Sequence, residues 1–268
     1  MIRIHTDEGI VGIGEVHTNP LAAKAIIDSP MYSVSGQGLA HVIVGEDPRD
    51  INRLWDRMYQ RSQTYGRRGL LMHALSGIDL ALWDILGKEA GLPVYRLLGG
   101  ARKRQHVFYA SDLSQPTLEG TIDQALAHKA HGYQAMKFGW GALGRDRKAD
   151  VAVAAGLRQA LGPNFDIMID MGFAVPLDHA IHLGRAYFEH GIYFLEEPLS
   201  PDDLDGFAKL VAASPTPIAT GEKASHEFDY LDLMDRGNLR IIQPDIAQWA
   251  ASRRCCALSR RRKRATCA

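Results

Sequence analysis

Four acidic residues recur along the 268-residue sequence, each close behind a short apolar run. Ile167-Met168-Ile169 leads to Asp170 and Tyr193-Phe194-Leu195 to Glu196. Pro217-Ile218-Ala219-Thr220-Gly221 leads to Glu222, and Ile241-Ile242-Gln243-Pro244 to Asp245. The steps between them are 26, 26 and 23 residues. One strand-plus-helix unit of an eightfold barrel takes about 30 residues, so the spacing sets one acid at the carboxyl end of each of four neighbouring strands. Carboxylates that converge there repel one another and are driven toward protonation unless a cation lies among them. Hard oxygen donors around an open site suit Mg2+, which keeps positions for water or substrate. Asp170, Glu196 and Glu222 are therefore the candidate metal ligands. Glu197 is the alternative within its pair, and the even interval favours Glu196.

One strand earlier, Ala135-Met136-Lys137-Phe138 brings a lysine to the same end. There Lys137 would neutralise a substrate carboxylate, or act as a base if its pKa were lowered. His179, His182 and His190 fall on a helix between two strands and read as surface residues. His226, four residues past Glu222, is a candidate pocket residue.

The elements that position these groups alternate from residue 106 onward. Apolar runs at 106–110, 135–138, 167–169, 193–195, 217–219 and 240–242 are separated by helical stretches such as 151–161 and 179–190. Repeated βα units predict a parallel sheet, open or closed into a barrel. The first hundred residues differ. Ile2–Thr6 and Ile10–Val16 flank Asp7-Glu8-Gly9 and predict a hairpin. Gly9, Gly12 and Gly14 lie in strand context with no βαβ unit after them, so a nucleotide loop is not read there. Ile51, Leu54, Trp55, Met58 and Tyr59 keep helical spacing behind Asp47 as the expected cap. A longer helix carries Leu70 to Leu86 and stops at Gly91-Leu92-Pro93. The predicted organisation is an α/β chain with a capping domain at 1–105, a partial barrel at 106–249 and a tail at 250–268.

Composition limits the partners. The chain is 46% hydrophobic and 23% charged, with 31 basic and 31 acidic residues. Seven of the basic residues and all three cysteines lie in 250–268, which has no acid, so the body alone is net acidic. A disulfide framework is excluded from the body. The tail lacks aromatic interleaving and helical patterning, which argues against specific nucleic-acid recognition. No run of 18 apolar residues and no signal-peptide pattern occurs, so the expectation is a cytoplasmic protein without a membrane partner.

These residues resemble the mandelate racemase/muconate lactonizing enzyme family of the enolase superfamily. The likeness is carried by Gly12-Ile13-Gly14-Glu15, by Ser76–Asp84 in the long helix, by Pro93-Val94-Tyr95-Arg96-Leu97-Leu98-Gly99-Gly100, and by the motifs ending at Asp170, Glu196 and Glu222. A glutamate as third ligand, followed by Gln243-Pro244-Asp245, looks like the racemase and acid-sugar dehydratase branch. The resemblance implies an α+β capping domain with a TIM-type barrel, and proton abstraction beside a carboxylate to give an enediolate held by Mg2+. By position it makes Asp170, Glu196 and Glu222 the metal ligands, and Asp245 the acid that orients a catalytic histidine from the next strand. Lys137 matches the first lysine of a Lys-x-Lys pair whose second position is Gly139. A two-base racemase is therefore disfavoured. A one-base dehydratase acting on a small sugar-acid carboxylate is expected, with a racemase, a cycloisomerase or a non-catalytic gene remnant as the alternatives.

The resemblance also implies more chain than the sequence supplies. Only six strands of an eight-stranded barrel are read, and no histidine follows to pair with Asp245. The strand before the hairpin and the loop expected over the substrate are missing as well. The switch to a basic, cysteine-bearing tail suggests that 250–268 is translated out of frame. An impaired enzyme is expected, and a homo-oligomer where it folds.

Overall fold

Alternating Ile2, Arg3, Ile4 and His5 form strand β1 (Ile2–His5), which pairs antiparallel with β2 (Val11–Gly14). Gly9 turns the chain between them at φ 81°, a left-handed conformation that glycine adopts without steric cost. Gly14 has a different task. A Cβ there would stand 1.8 Å from the Gly77 carbonyl oxygen, so bare backbone lets the hairpin lie directly on a helix.

The computed structural model of the chain describes residues 1–249 apart from 102, 142, 173 and 174, together with the backbone of Thr266–Cys267. One compact unit comprises Met1–Arg104 with Glu222–Asp229 and residues 244–249. Its helices are α1 (Pro20–Asp28), α2 (Leu39–Ile43), α3 (Ile51–Arg61), α4 (Leu70–Ala90) and α5 (Val94–Leu97). Asn19 caps α1 by accepting from the Leu21 and Ala22 amides. Asp47 does not cap α3, which starts behind Asp50; the Asp47 carboxylate instead binds the Arg49 amide and guanidinium. Helix α4 is long and apolar enough to cross a membrane by length and composition, yet 72% of that stretch is buried within the protein. Leu71, Leu75, Ile78 and Leu82 form the buried face, and Gly91 ends the helix in the left-handed conformation.

The second unit comprises Gln105–Gly221 with Tyr230–Gln243. It runs β3 (Ala110–Leu113), α6 (Leu118–Ala130), β4 (Ala135–Gly139), α7 (Arg147–Leu161), β5 (Asp166–Asp170), α8 (Leu177–Glu189) and β6 (Ile192–Glu196). Then follow α9 (Leu204–Ala213), β7 (Ile218–Thr220), α10 (Glu227–Asp235) and β8 (Ile241–Ile242). Each strand pairs in parallel with the next, six in succession, consistent with part of a TIM barrel. The short strand β9 (Thr266–Cys267) pairs beyond β8. The other tail residues, and with them most of the segment read as out of frame, lie outside the described residues. The first strand begins later than its apolar run suggested: Val107 and Phe108 are 87% and 74% exposed, and the ladder starts at Ala110.

Side-chain alternation then fixes the site. Met168 and Asp170, Phe194 and Glu196, and Ala135 and Lys137 share a face because successive strand residues point to opposite sides. Met168, Phe194 and Ala219 form a buried apolar layer flanked by Ala135 and Ile241. The polar groups stand one step further along the same strands.

Candidate metal centre

Asp170 closes β5 and Glu196 closes β6, paired directly in the ladder. Glu222 follows β7 after Gly221. One carboxylate oxygen from each of the three lies within 4.8 Å of the others. Asp170 and Glu196 are 4% and 1% exposed, while Glu222 is less buried. Asp170 is aimed by the Gly172 amide, which donates to Oδ1 at 2.8 Å. Burial raises the Glu196 pKa, the Asp170 charge raises it further, and hydrogen bonds from Lys137 and Gln243 offset part of the rise. Gln243 is a functional neighbour that spacing could not nominate, since only the fold brings its amide to Glu196.

Lys137 Nζ donates to both oxygens of Glu196, at 2.7 and 2.8 Å, and stands 3.6 Å from Asp170 Oδ2. Burial alone would lower its pKa, but the Glu196 hydrogen bonds and the charges of Glu196 and Asp170 outweigh that, and the net shift is upward. Lys137 is thus an ammonium among carboxylates, without the lowered pKa that a base would need. Lys223 Nζ also stands 3.6 Å from Glu222 Oε1, so three carboxylates meet two ammonium groups and the balance stays negative, a charge that suits a cation. An all-oxygen donor set of this kind fits a hard divalent ion.

The structure separates Glu197 from its neighbour. Glu197 has φ 50°, a left-handed conformation costing an ordinary residue about 1–2 kcal/mol. The turn carries its buried carboxylate to β7, where Oε1 accepts from the Thr220 hydroxyl and, at 3.0 Å, from the Gly221 amide. Glu197 therefore grips the backbone one residue before Glu222 and is not part of the three-carboxylate cluster. Outer-shell partners of this type are worth about 10–100-fold in metal affinity. E197A is expected to weaken Mg2+ binding by about that factor, whereas E197Q, whose amide oxygen still accepts both bonds, stays near wild type. Calorimetric titration with Mg2+ decides it, and unchanged affinity in E197A refutes the role.

Asp245 meets a histidine, though not one from a following strand. His17, three residues past β2, places Nδ1 2.6 Å from Asp245 Oδ2. Among the remaining histidines, His179 is not a surface residue: it is 6% exposed with Nε2 3.2 Å from Asp150 Oδ2, because the first turn of α8 packs onto α7. His182 is exposed and His190 half-buried. His226 is buried and packs between Tyr59 and Phe228, at ring distances of 5.5 and 5.0 Å.

Two family models match the chain. Residues 1–99 match the mandelate racemase/muconate lactonizing enzyme N-terminal domain, and residues 121–267 match the enolase C-terminal domain-like model. The chain belongs to the mandelate racemase/muconate lactonizing enzyme family of the enolase superfamily. Within this family it is 32% identical to D-galactarolactone cycloisomerase of Agrobacterium fabrum, over 92% of this chain and 63% of that protein. It is 30% identical to arabinonate dehydratase of Saccharolobus solfataricus, over 91% of this chain and 64% of that protein. The chain thus spans a little under two thirds of the length of these curated relatives. A racemase from Streptomyces coelicolor A3(2), solved with bound magnesium, superposes with TM-score 0.87 at 30% identity, covering 97% of this chain and 71% of that one.

Proposed function

We propose that the chain is a Mg2+-dependent lyase that dehydrates a small sugar acid. The observation that carries this reading is the meeting of Asp170, Glu196 and Glu222 within 4.8 Å beside a half-buried ammonium. Asp170, Glu196 and Glu222 would hold the ion. When bound, Mg2+ supplies positive charge to a substrate carboxylate and so acidifies the carbon next to it. Loss of water then needs one proton taken from that carbon and one delivered to the departing hydroxyl on the next carbon. A single acid–base group on one side of the substrate serves both transfers. Lys137 fits the task of holding Glu196 and countering negative charge better than that of a base. Gly139 supports the one-base chemistry, because a Cβ there would stand 2.9 Å from Asp170 Cβ and 3.1 Å from Oδ2. A second lysine at 139 would disturb a metal ligand.

The likeness to a cycloisomerase favours a second reading, isomerisation of an acid-sugar lactone by the same carboxylates. On either reading the partners are a sugar acid and further copies of the chain, in the cytoplasm, without nucleic acid or membrane. The test is a panel of aldonic and aldaric acids and their lactones, incubated with the chain and Mg2+ in D2O and followed by proton NMR. The expected result is conversion of at least one acid to a 2-keto-3-deoxy acid, abolished by a chelator. Exchange or isomerisation without loss of water would replace the dehydratase reading with the second one. No Mg2+-dependent change in any acid would overturn both.

A further inference from the structure

Trp140 is the first residue after β4, and its backbone has φ 63°. A left-handed conformation costs a residue with a Cβ about 1–2 kcal/mol, and it persists only where the surroundings over-determine it. Here they do so from both ends of the residue. The Trp140 amide donates to the Asp170 carbonyl at 3.2 Å, one step beyond the Gly139–Asp170 pair of the β4–β5 ladder. The Trp140 carbonyl accepts from the amide of buried Leu143 at 3.3 Å.

This turn directs the indole onto Gly172. A Cβ at Gly172 would stand 2.7, 2.8 and 2.9 Å from Cδ2, Cγ and Cε2 of the ring. Three nearly equal distances to fused ring atoms mean that the indole face occupies the place of a side chain there. Gly172 is also the residue whose amide donates to Asp170 Oδ1 at 2.8 Å, which leaves Oδ2 on the Lys137 side, 3.6 Å from Nζ. Glycine has more backbone freedom than any other residue, so a hydrogen bond from its amide is only as fixed as whatever covers it. Trp140 therefore touches Asp170 twice, directly through its main chain and, through its ring, by way of the Gly172 peptide. A glycine at 140 would adopt the turn without strain and would leave Gly172 uncovered.

We propose that Trp140 is a positioning residue of the metal centre. Its indole holds the Gly172 peptide in the one orientation that fixes Asp170 Oδ1, and so keeps Asp170 turned toward Glu196 and Glu222. The role deepens the Mg2+ reading above and rests on it. It also accounts for a bulky residue at a backbone position that suits glycine, since the strain secures the direction of a ligand rather than the strand itself.

The experiment reads the Gly172 amide and Mg2+ affinity separately. In the metal-free chain grown with isotope-labelled glycine, the Gly172 amide is assigned by its loss in G172A. W140A is expected to shift that resonance upfield and to remove its protection from hydrogen exchange. Calorimetric titration should show Mg2+ binding weakened by about 10–100-fold in W140A, the range for losing a partner that orients a ligand. W140F, which keeps a flat ring over Gly172, should stay near wild type in both measurements. W140G separates the task from folding. It relieves the left-handed strain, so its metal-free stability should exceed that of W140A while its Mg2+ affinity falls as far. A Gly172 amide that W140A leaves in place, wild-type affinity in W140G, or an equal loss in W140F overturns the proposal. If the wild-type chain binds no Mg2+, the metal reading falls, and the Gly172 amide of the metal-free protein still decides whether the indole orients Asp170.

Discussion

Replacing Lys137 with methionine is expected to lower the stability of the metal-free protein at neutral pH by roughly 3–5 kcal/mol, the range for breaking a buried ion pair from one side. Methionine keeps most of the lysine stem, so lost packing contributes little. What changes is that Asp170 and Glu196, both nearly inaccessible, are left facing each other without the ammonium that now lies 2.7 Å from one and 3.6 Å from the other. The dependence on pH has a definite sign. Glu196 already has a raised pKa in the folded chain, so the native state binds more protons than the unfolded state as pH climbs past the ordinary glutamate range. Stability therefore falls with rising pH through that window. Removing Lys137 deletes two of the influences that hold the Glu196 pKa down, so K137M should fall more steeply and recover in acid. Mg2+ should rescue it too, because an ion that binds only the folded state stabilises it by mass action. Without a competing ammonium, the ion should bind K137M more tightly than wild type. Urea unfolding at pH 5 and pH 8, with chelator or with Mg2+, measures all of this. Equal stability of the two proteins at pH 8 in chelator would show that the ammonium is not what holds the carboxylates together.

The same pair of residues shows how far the sequence reaches. Asp170 and Glu196 were legible because a βα repeat converts an interval along the chain into adjacency across a sheet, and parity along each strand converts it into a shared face. Glu222 follows the interval but not the parity, since it stands past the end of β7, three residues beyond Ala219, the register partner of Glu196. Lys137 obeys both rules from β4. Glu197 does not: its left-handed φ breaks the alternation, and a non-glycine residue gives no local sign of that. The late start of β3 was hidden for a related reason, since Val107-Phe108-Tyr109 is as apolar as a strand and yet stays outside the ladder. His179 was misplaced because helical spacing tells which residues share a face, while the packing of α8 on α7 decides which face is covered. His17 lies furthest from reach. Its partner stands beyond the entire βα repeat, and the segment that carries it has no period that would point there.

Removing the charge of Glu196 in E196Q should have the opposite profile to K137M. Catalysis is expected to drop by about 10³-fold or more, since the bound ion is asked for several kcal/mol of charge stabilisation and each 1.4 kcal/mol is tenfold. Mg2+ affinity should fall with it, because ligand charge count is a main determinant of binding by carboxylate sites. The metal-free protein, however, should lose little stability. Glutamine takes away the carboxylate whose ionisation burial opposes, and its amide oxygen still accepts from Lys137, which keeps Asp170 at 3.6 Å as counter-charge. The two variants thus pull apart two jobs done by the same atoms. If the cluster is a metal site neutralised by Lys137 until the ion arrives, K137M is unstable and binds the ion well, while E196Q is stable and binds it poorly. If the carboxylates and the lysine are only a buried ion-pair network, neither variant changes a Mg2+ titration. Calorimetric Mg2+ binding to both proteins, set beside their unfolding curves in chelator, distinguishes the two arrangements without any knowledge of the substrate.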